Sequence, residues 1–210
     1  MTEASRRHAL VGPADLWEMK RQFQIDFLLR QGLQPEHRLL DLGCGALRGG
    51  IPLIAYLDAE NYTGVEVRPE VLAEGRQELA EAGLAGKDPR LLICDKLETL
   101  ALPERYNVVW AFAVLIHMSD EILESALAAI FRHLAEGGRF YGNVNIGDPY
   151  QGNWQGFPVM TRPWAHYQAA FKGHGLEVEA MGSLAELGHH HPRLGRDRTD
   201  RQRMLRAWRA

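Results

Sequence analysis

Three carboxylates and a glycine-rich turn are the residues of this 210-residue chain whose types and spacing most clearly support chemistry. The run Leu39-Leu40-Asp41-Leu42-Gly43-Cys44-Gly45 closes an apolar stretch with two glycines. There the backbone can bend tightly and a ligand can approach without meeting a Cβ. Gly49 and Gly50 follow at the expected start of a helix, whose unpaired N–H groups and dipole suit a negatively charged ligand group. The spacing is GxGxxxG, not the GxGxxG of a pyrophosphate-binding turn. Glu66 ends the second apolar stretch, where a carboxylate can accept hydrogen bonds from two ribose hydroxyls. Asp95 ends the third and can accept from an exocyclic adenine amine. With Asp41 inside the first stretch, a ligand at this edge meets enough negative charge to favour amines and a cationic centre over a pyrophosphate.

Other residues invite a chemical reading. His117 follows the fourth apolar stretch, and its near-neutral pKa suits proton removal from an acceptor, although a structural histidine fits the position too. Cys44 reads as a small buried residue whose backbone matters. The consecutive His189, His190 and His191 point apart and cannot all reach one ion, so no metal site is expected and the run reads as a flexible loop. His166 and His174 read as surface residues. Tyr150, Trp154 and Phe157 lie in a stretch broken by glycine and proline, and read either as a hydrophobic plug or as contacts to a substrate.

The elements that must position these residues follow from periodicity. Pro13 opens a helix carrying Leu16, Met19, Phe23, Phe27 and Leu28 and stopped at Gly32; Trp17 and Phe23 there could pack as core or cover a ligand. Strands over residues 38–42, 62–67, 90–94, 106–112 and 139–143 alternate with helices over 49–57 and 69–82. A further helix, capped by Ser119, carries Ile122, Leu123, Leu127, Ile130, Phe131 and Leu134 and is closed by Gly137. Such alternation implies βαβ units and a mainly parallel sheet. Residues 146–163 break the rhythm and read as a loop. A helix over 163–173, a strand over 176–180, a second irregular stretch over 188–199 and a final edge strand over 202–208 complete the chain.

The bulk composition sets bounds. Hydrophobic content is 46%, charged content 24% and net charge −3, which supports one core and no general attraction to nucleic acid. Residues 1–34 read as an N-terminal helical extension packing on a domain over 35–210. Seven arginines against two aspartates fall between Pro192 and Ala210, but Trp208 is the one aromatic among them. Arg201, Arg203, Arg206 and Arg209 therefore read as the solvated face of an edge strand, not a nucleic-acid surface. Two cysteines make neither a disulfide framework nor a metal pair, which fits a reducing cytoplasm. Residues 1–8 lack the apolar core of a signal peptide, and no stretch is long enough to span a membrane.

The acidic sheet edge beside a glycine turn fits S-adenosylmethionine. In order, residues 39–50, residues 64–69, Cys94-Asp95 and residues 114–118 resemble successive motifs of class I S-adenosylmethionine-dependent methyltransferases. Residues 134–140 are similar to the segment entering that family's fifth strand, so the resemblance spans roughly residues 35 to 145. It implies an α/β fold, a three-layer Rossmann-like sandwich with a mainly parallel seven-stranded sheet whose last strand is antiparallel. It further implies Gly43, Cys44 and Gly45 along the methionine and ribose portions, Asp41 at the amino group, Glu66 at the ribose and Asp95 at the adenine, with Val67 and Lys96 beside them. Ala111 and Phe112 would border the methionine moiety. Glu66 stands where the family more usually has Asp. Arg48, a bulky cation beside the turn, fits a partner of the cofactor carboxylate or a surface residue.

Such a protein would transfer the methyl group in line to an oxygen or nitrogen of a small-molecule acceptor, contributing mainly alignment and exclusion of water. His117 is the candidate base, and Tyr150 and Trp154 are candidate substrate contacts. No Asn/Asp-Pro-Pro-Tyr/Phe sequence follows the fourth strand, which argues against planar amide or adenine amines. No Pro-Cys pair suggests methylation of a pyrimidine carbon. A non-catalytic S-adenosylmethionine-binding regulator or partner subunit, and a nicotinamide oxidoreductase, remain as alternatives.

Overall fold

The computed structural model describes residues 7–191 and 201–210, in two units that join in sequence between Asp95 and Lys96. Residues 1–6, the part of the expected irregular stretch from 192 onward, and Arg193, Arg196 and Arg198 of the basic tail lie outside the described residues.

The first unit is built on three parallel strands, β1 (Leu39–Leu42), β2 (Tyr62–Glu66) and β3 (Arg90–Ile93), with β2 central. Every residue of β1 and β2 is buried, which is why they read as continuous apolar runs and not as alternation. The register sets Asp41 against Gly64 and Glu66 against Ile93. Helix α1 (Trp17–Arg30) follows a 3-10 turn over Ala14–Leu16 and buries Phe23, Phe27 and Leu28. α2 (Gly50–Tyr56) links β1 to β2, and α3 (Pro69–Glu81), with proline in its first turn, links β2 to β3.

In the second unit β4 (Tyr106–Ala111) runs parallel to β5 (Leu134–Ile146). Helix α4 (Asp120–His133) joins them, its first turn capped by the Ser119 hydroxyl, which accepts the Ile122 N–H. The expected run of this helix to Gly137 is not observed. α4 stops at His133, and β5 begins at Leu134 with a bulge before Arg139, Gly137 having φ +72°. His133 itself is built into the core: Nδ1–H donates to the Ala129 carbonyl at 2.8 Å and Nε2 accepts the Leu102 N–H at 3.1 Å. Burial holds its pKa below the usual histidine value, so it stays neutral.

The chain then departs again from expectation. Residues 146–163, read as a loop, form an antiparallel hairpin of β6 (Tyr150–Trp154) and β7 (Phe157–Arg162). Helix α5 (Trp164–Gly173) and β8 (Leu176–Ser183) follow. The last strand, β9 (Gln202–Arg209), is antiparallel as expected but is not an edge: it pairs with β5 on one side and β8 on the other, and Met204, Leu205 and Ala207 are fully buried. Its arginines are partnered, Arg203 and Arg206 by Glu186 and Glu179, and Arg209 by the Phe131 carbonyl. Apart from the hairpin, the described strands are the seven of a Rossmann-like α/β fold with an antiparallel last strand. No helix among the described residues is long and apolar enough to cross a membrane.

Candidate functional site

β1 ends in the turn Gly43-Cys44-Gly45, whose two glycines have φ +74° and +58°, a region that side chains rarely adopt. The Gly43 and Cys44 N–H groups both donate to the Val65 carbonyl, at 2.8 and 3.0 Å. The Gly45 N–H donates to Glu66 Oε2 at 2.9 Å, and the other oxygen of that carboxylate accepts the Arg68 N–H and Nε–H at 3.1 and 3.2 Å. Glu66 is therefore tied to the turn from the neighbouring strand, and Oε2, which accepts one bond against two at Oε1, keeps a lone pair for a ligand hydroxyl. The Cys94 N–H donates to the Glu66 carbonyl at 3.0 Å, so the ends of β2 and β3 adjoin, with Val67 and Asp95 exposed just beyond them.

Behind the turn the electrostatics are unusual. Asp41 is buried and its Oδ2 accepts the Tyr62 hydroxyl at 2.6 Å. Desolvation outweighs that hydrogen bond and pushes the Asp41 pKa up to about 7. Arg48 is buried too, contrary to a surface role, and desolvation brings its guanidinium down to about 10. Its Nη1 donates to the Val11 carbonyl at 2.9 Å, and the group lies 5.9 Å from the Trp17 ring centroid. Burial, reinforced by Asp41, drives the Cys44 thiol far above its usual value, which suits a packing residue and not a nucleophile. Gly49 and Gly50 make room for neighbours: a Cβ on Gly50 would stand 2.7 Å from the Tyr62 hydroxyl, and one on Gly49 2.3 Å from Gln24 Oε1.

The chain before α1 lies across this turn. Val11 packs on Gly45, where a Cβ would come within 2.9 Å of Val11 Cγ1. Arg68 Nη1 donates to the Leu10 carbonyl at 3.2 Å, alongside the bond from Arg48 to Val11. Arg7 pairs with Glu74, Glu78 and Glu81 of α3, and His8 stacks on Trp17 at 3.6 Å. Trp17 packs with Ala46 and Val71, so it serves as core directly against the turn.

The second unit gathers its chemistry after β4. Phe112 stacks on Trp110 at 5.6 Å, and the His189 ring meets it at 5.7 Å. His189 is buried, its N–H donating to the Leu184 carbonyl at 2.8 Å, which overturns the flexible-loop reading at that residue. Ala113 adopts φ +59°, a costly region for a residue with a Cβ, and its N–H donates to Asn143 Oδ1 at 2.6 Å from a fully buried side chain on β5. The 3-10 turn Leu115–His117 then presents His117 to the hairpin. Its Nδ1 lies 2.8 Å from the Pro158 carbonyl. A carbonyl only accepts, so Nδ1 carries the proton and Nε2 is the basic nitrogen. The ring stacks on Trp154 at 5.4 Å and meets Phe157 at 6.2 Å.

The hairpin is held firmly. Its two-residue turn, Gln155-Gly156, has φ +49° and +85°, the left-handed pair that matches strand twist. Arg162 Nε donates to Asp120 Oδ1 at 2.8 Å and Nη2 to the Met118 carbonyl at 2.7 Å, while Asn145 Nδ2 donates to the Met160 carbonyl at 2.9 Å. Tyr150 and Trp154 alternate onto one face of β6, Trp154 against His117 and Tyr150 64% exposed.

Asp41, Gly43, Cys44, Gly45 and Glu66 thus form one connected turn, with Val67 and Asp95 at its rim. Ala111, Phe112, His117 and Trp154 fall in the second unit around the end of β4 and the hairpin. Lys96 is exposed, its carbonyl accepting the Thr99 hydroxyl at 2.8 Å. Sequence reasoning did not single out Val11, Asn143 or Pro158, whose roles come from contacts 30 or more residues away. Among the described residues no cluster of His, Cys, Asp or Glu is placed to hold a metal.

Residues 39–138, which begin at β1 and carry the turn, Glu66, Asp95 and His117, match the methyltransferase domain family. The glycopeptide N-methyltransferase MtfA is similar in structure, with a TM-score of 0.68 at 18% identity over 90% of each chain. An S-adenosylmethionine-dependent methyltransferase from Clostridium acetobutylicum ATCC 824 gives 0.67 at 13% identity over 91% of each chain. Magnesium protoporphyrin IX methyltransferase from Synechocystis PCC 6803, with bound S-adenosylmethionine, gives 0.68 at 18% identity over all of this chain and 86% of that one. At these identities the likeness to solved structures shows the fold. With the family match, residues 39–138 are a methyltransferase domain within a chain of the class I Rossmann-like fold that S-adenosylmethionine-dependent methyltransferases share.

Proposed function

We propose that the protein methylates an oxygen or nitrogen atom of a small-molecule acceptor, with His117 as the base. The residues of the turn fit the cofactor: two left-handed glycines bend it tightly beside Glu66, carboxylates at Asp41, Glu66 and Asp95 suit amines and hydroxyls, and Arg48 keeps a buried nitrogen without a partner among the described residues. When bound, S-adenosylmethionine supplies a methyl group already activated on a sulfonium. Glu66 would hold the ribose hydroxyls and Asp95 the adenine amine, with Gly43, Cys44, Gly45, Val67 and Lys96 alongside; Ala111 and Phe112 would border the methyl end.

The observation that carries the acceptor side is the fixed tautomer of His117. With Nδ1–H committed to Pro158, Nε2 is the ring nitrogen that would take the acceptor's proton, and the same carbonyl would steady the imidazolium that results. Trp154 and Phe157 against the ring, with Tyr150 on the same hairpin face as Trp154, would exclude water and contact the acceptor. Structural relatives named for a glycopeptide and for magnesium protoporphyrin IX support a non-polymeric acceptor.

The test is production of S-adenosylhomocysteine from the wild type against a panel of phenols, alcohols and amines, each product identified by mass. Turnover that falls sharply in His117→Ala, with S-adenosylhomocysteine affinity intact, supports the reading. Equal turnover in that variant removes His117 from the chemistry, and turnover confined to nucleic acid or protein overturns the acceptor class.

A further inference from the structure

Ala113 is held in a conformation that an alanine rarely adopts. Its φ of +59° lies in the left-handed region, where a Cβ crowds the backbone and glycine is the usual occupant. The parallel ladder between β4 and β5 ends at Ala111 and Gly142. Just past that end the fully buried Asn143 side chain takes over, its Oδ1 accepting the Ala113 N–H at 2.6 Å. Because an N–H needs an acceptor, the amide is oriented with Nδ2 on its far side, and that nitrogen is buried with no hydrogen-bond partner among the described residues. A strained turn and an unmet donor therefore meet in one contact. Both oppose folding, and glycine at 113 would remove the first cost outright, so stability alone does not account for the pair.

What the turn positions is the chain that follows it. Val114 leads into the 3-10 turn Leu115–His117, closed by the His117 N–H on the Val114 carbonyl at 2.8 Å. Leu115 and Ile116 are buried, which fixes the depth of that turn, but apolar packing is non-directional and does not aim a ring. Direction comes from the two ends. Upstream Asn143 fixes Ala113, and downstream Arg162 Nη2 donates to the Met118 carbonyl at 2.7 Å. Between them His117 Nδ1 meets the Pro158 carbonyl at 2.8 Å. Resting on the reading of His117 as the base, we infer that Asn143 is a positioning residue for it. By holding Ala113 left-handed, Asn143 sets the angle at which the chain leaves β4, and thereby keeps Nδ1–H on Pro158 and Nε2 the basic nitrogen. Asn143 itself moves no proton.

The test reads the His117 ring directly and needs no acceptor. Two-bond proton–nitrogen NMR spectra of the isotope-labelled protein distinguish the two histidine tautomers, with His117 assigned by its absence from His117→Gln. His133 on α4 of the same unit, whose Nδ1–H also donates to a carbonyl, is the internal control. The wild type should show the Nδ1–H tautomer at both rings. Asn143→Leu, similar in volume but without Oδ1, should lose it at His117, the ring averaging between tautomers, and retain it at His133. Asn143→Asp, which keeps an oxygen on the Ala113 N–H, should preserve the wild-type pattern. Should the leucine variant not fold, Asn143→Ser withdraws the oxygen from Ala113 without adding apolar bulk and carries the same expectation. An unchanged His117 pattern in either folded variant overturns the inference. So does loss at His117 and His133 together, which marks a general loosening. An Nε2–H tautomer at His117 in the wild type is a different failure, since it overturns the base assignment on which the inference rests.

Discussion

Replacing Asp41 with Asn should stabilise the cofactor-free protein at neutral pH and weaken its grip on the cofactor. Asp41 has a folded-state pKa of about 7 against an ordinary value of 3.8, because burial disfavours its charged form more than the Tyr62 hydroxyl favours it. The folded chain therefore holds a proton that the unfolded chain gives up between those values. This contribution to stability is complete below the unfolded pKa and is lost as pH rises through about 7. Fully ionised, the buried carboxylate costs roughly 4 kcal/mol at about 1.4 kcal/mol per pKa unit. Asn keeps an oxygen for the Tyr62 hydroxyl and never ionises. Urea unfolding of both proteins at pH 5 and pH 8, without cofactor, should show the variant's advantage widening by about 2–3 kcal/mol, since other groups cancel in the difference. A constant advantage across that range would falsify the reasoning. S-adenosylhomocysteine should reverse the ranking, with affinity about tenfold or more weaker in the variant from loss of a charge-assisted bond to the ammonium.

Other perturbations follow from the same geometry. Glu66→Ala should cost about 2–4 kcal/mol of S-adenosylhomocysteine affinity by calorimetry, since it removes ligand acceptors and frees the Gly45 N–H together. His117→Ala should lower kcat by about 10²–10⁴-fold while S-adenosylhomocysteine affinity stays within about twofold; parallel losses would make the histidine structural. Gly50→Ala should destabilise the protein by about 1–3 kcal/mol in thermal or urea unfolding, because the new Cβ would meet the bonded Tyr62 hydroxyl and Leu47. Arg162→Met should loosen the hairpin, seen as faster amide exchange in β6 and β7 and a raised KM for the acceptor, with cofactor affinity unchanged.

What the sequence displayed, and what it hid, divides along the range of the interactions. β1 and β2 are short apolar runs buried on both faces, and their punctuation by glycine and by Pro69 marks their ends locally. Glu66 and Asp95 were legible because strand ends of parallel units fall at one edge by topology. The hairpin was hidden by two local signals that tertiary packing overrides. Gln155-Gly156 is a weaker turn pair than Asn-Gly, and Pro158 argues against a strand, yet here its carbonyl, which proline retains, anchors His117. β9 looked like an edge because Arg203, Arg206 and Arg209 suggest solvent; in the fold, carboxylates and a carbonyl on neighbouring segments meet them. Arg48 could be noticed as an odd cation beside the turn, but its burial depends on Val11 and Trp17, 37 and 31 residues away.

The hairpin enters and leaves its unit at neighbouring points, with Asn145 paired to Thr161 and Ile146 to Arg162 in parallel register. Its two ends are therefore already closed by the scaffold, and the residues between them add no further loop-closure requirement to the rest of the chain. A segment with that property is a cassette. Hairpins of other lengths and faces could be grafted between Ile146 and Thr161 with the parallel pairing of β5 and β7 kept at its base. The Arg162 anchor on Asp120 and Met118 marks the joint at which such an exchange should be cut.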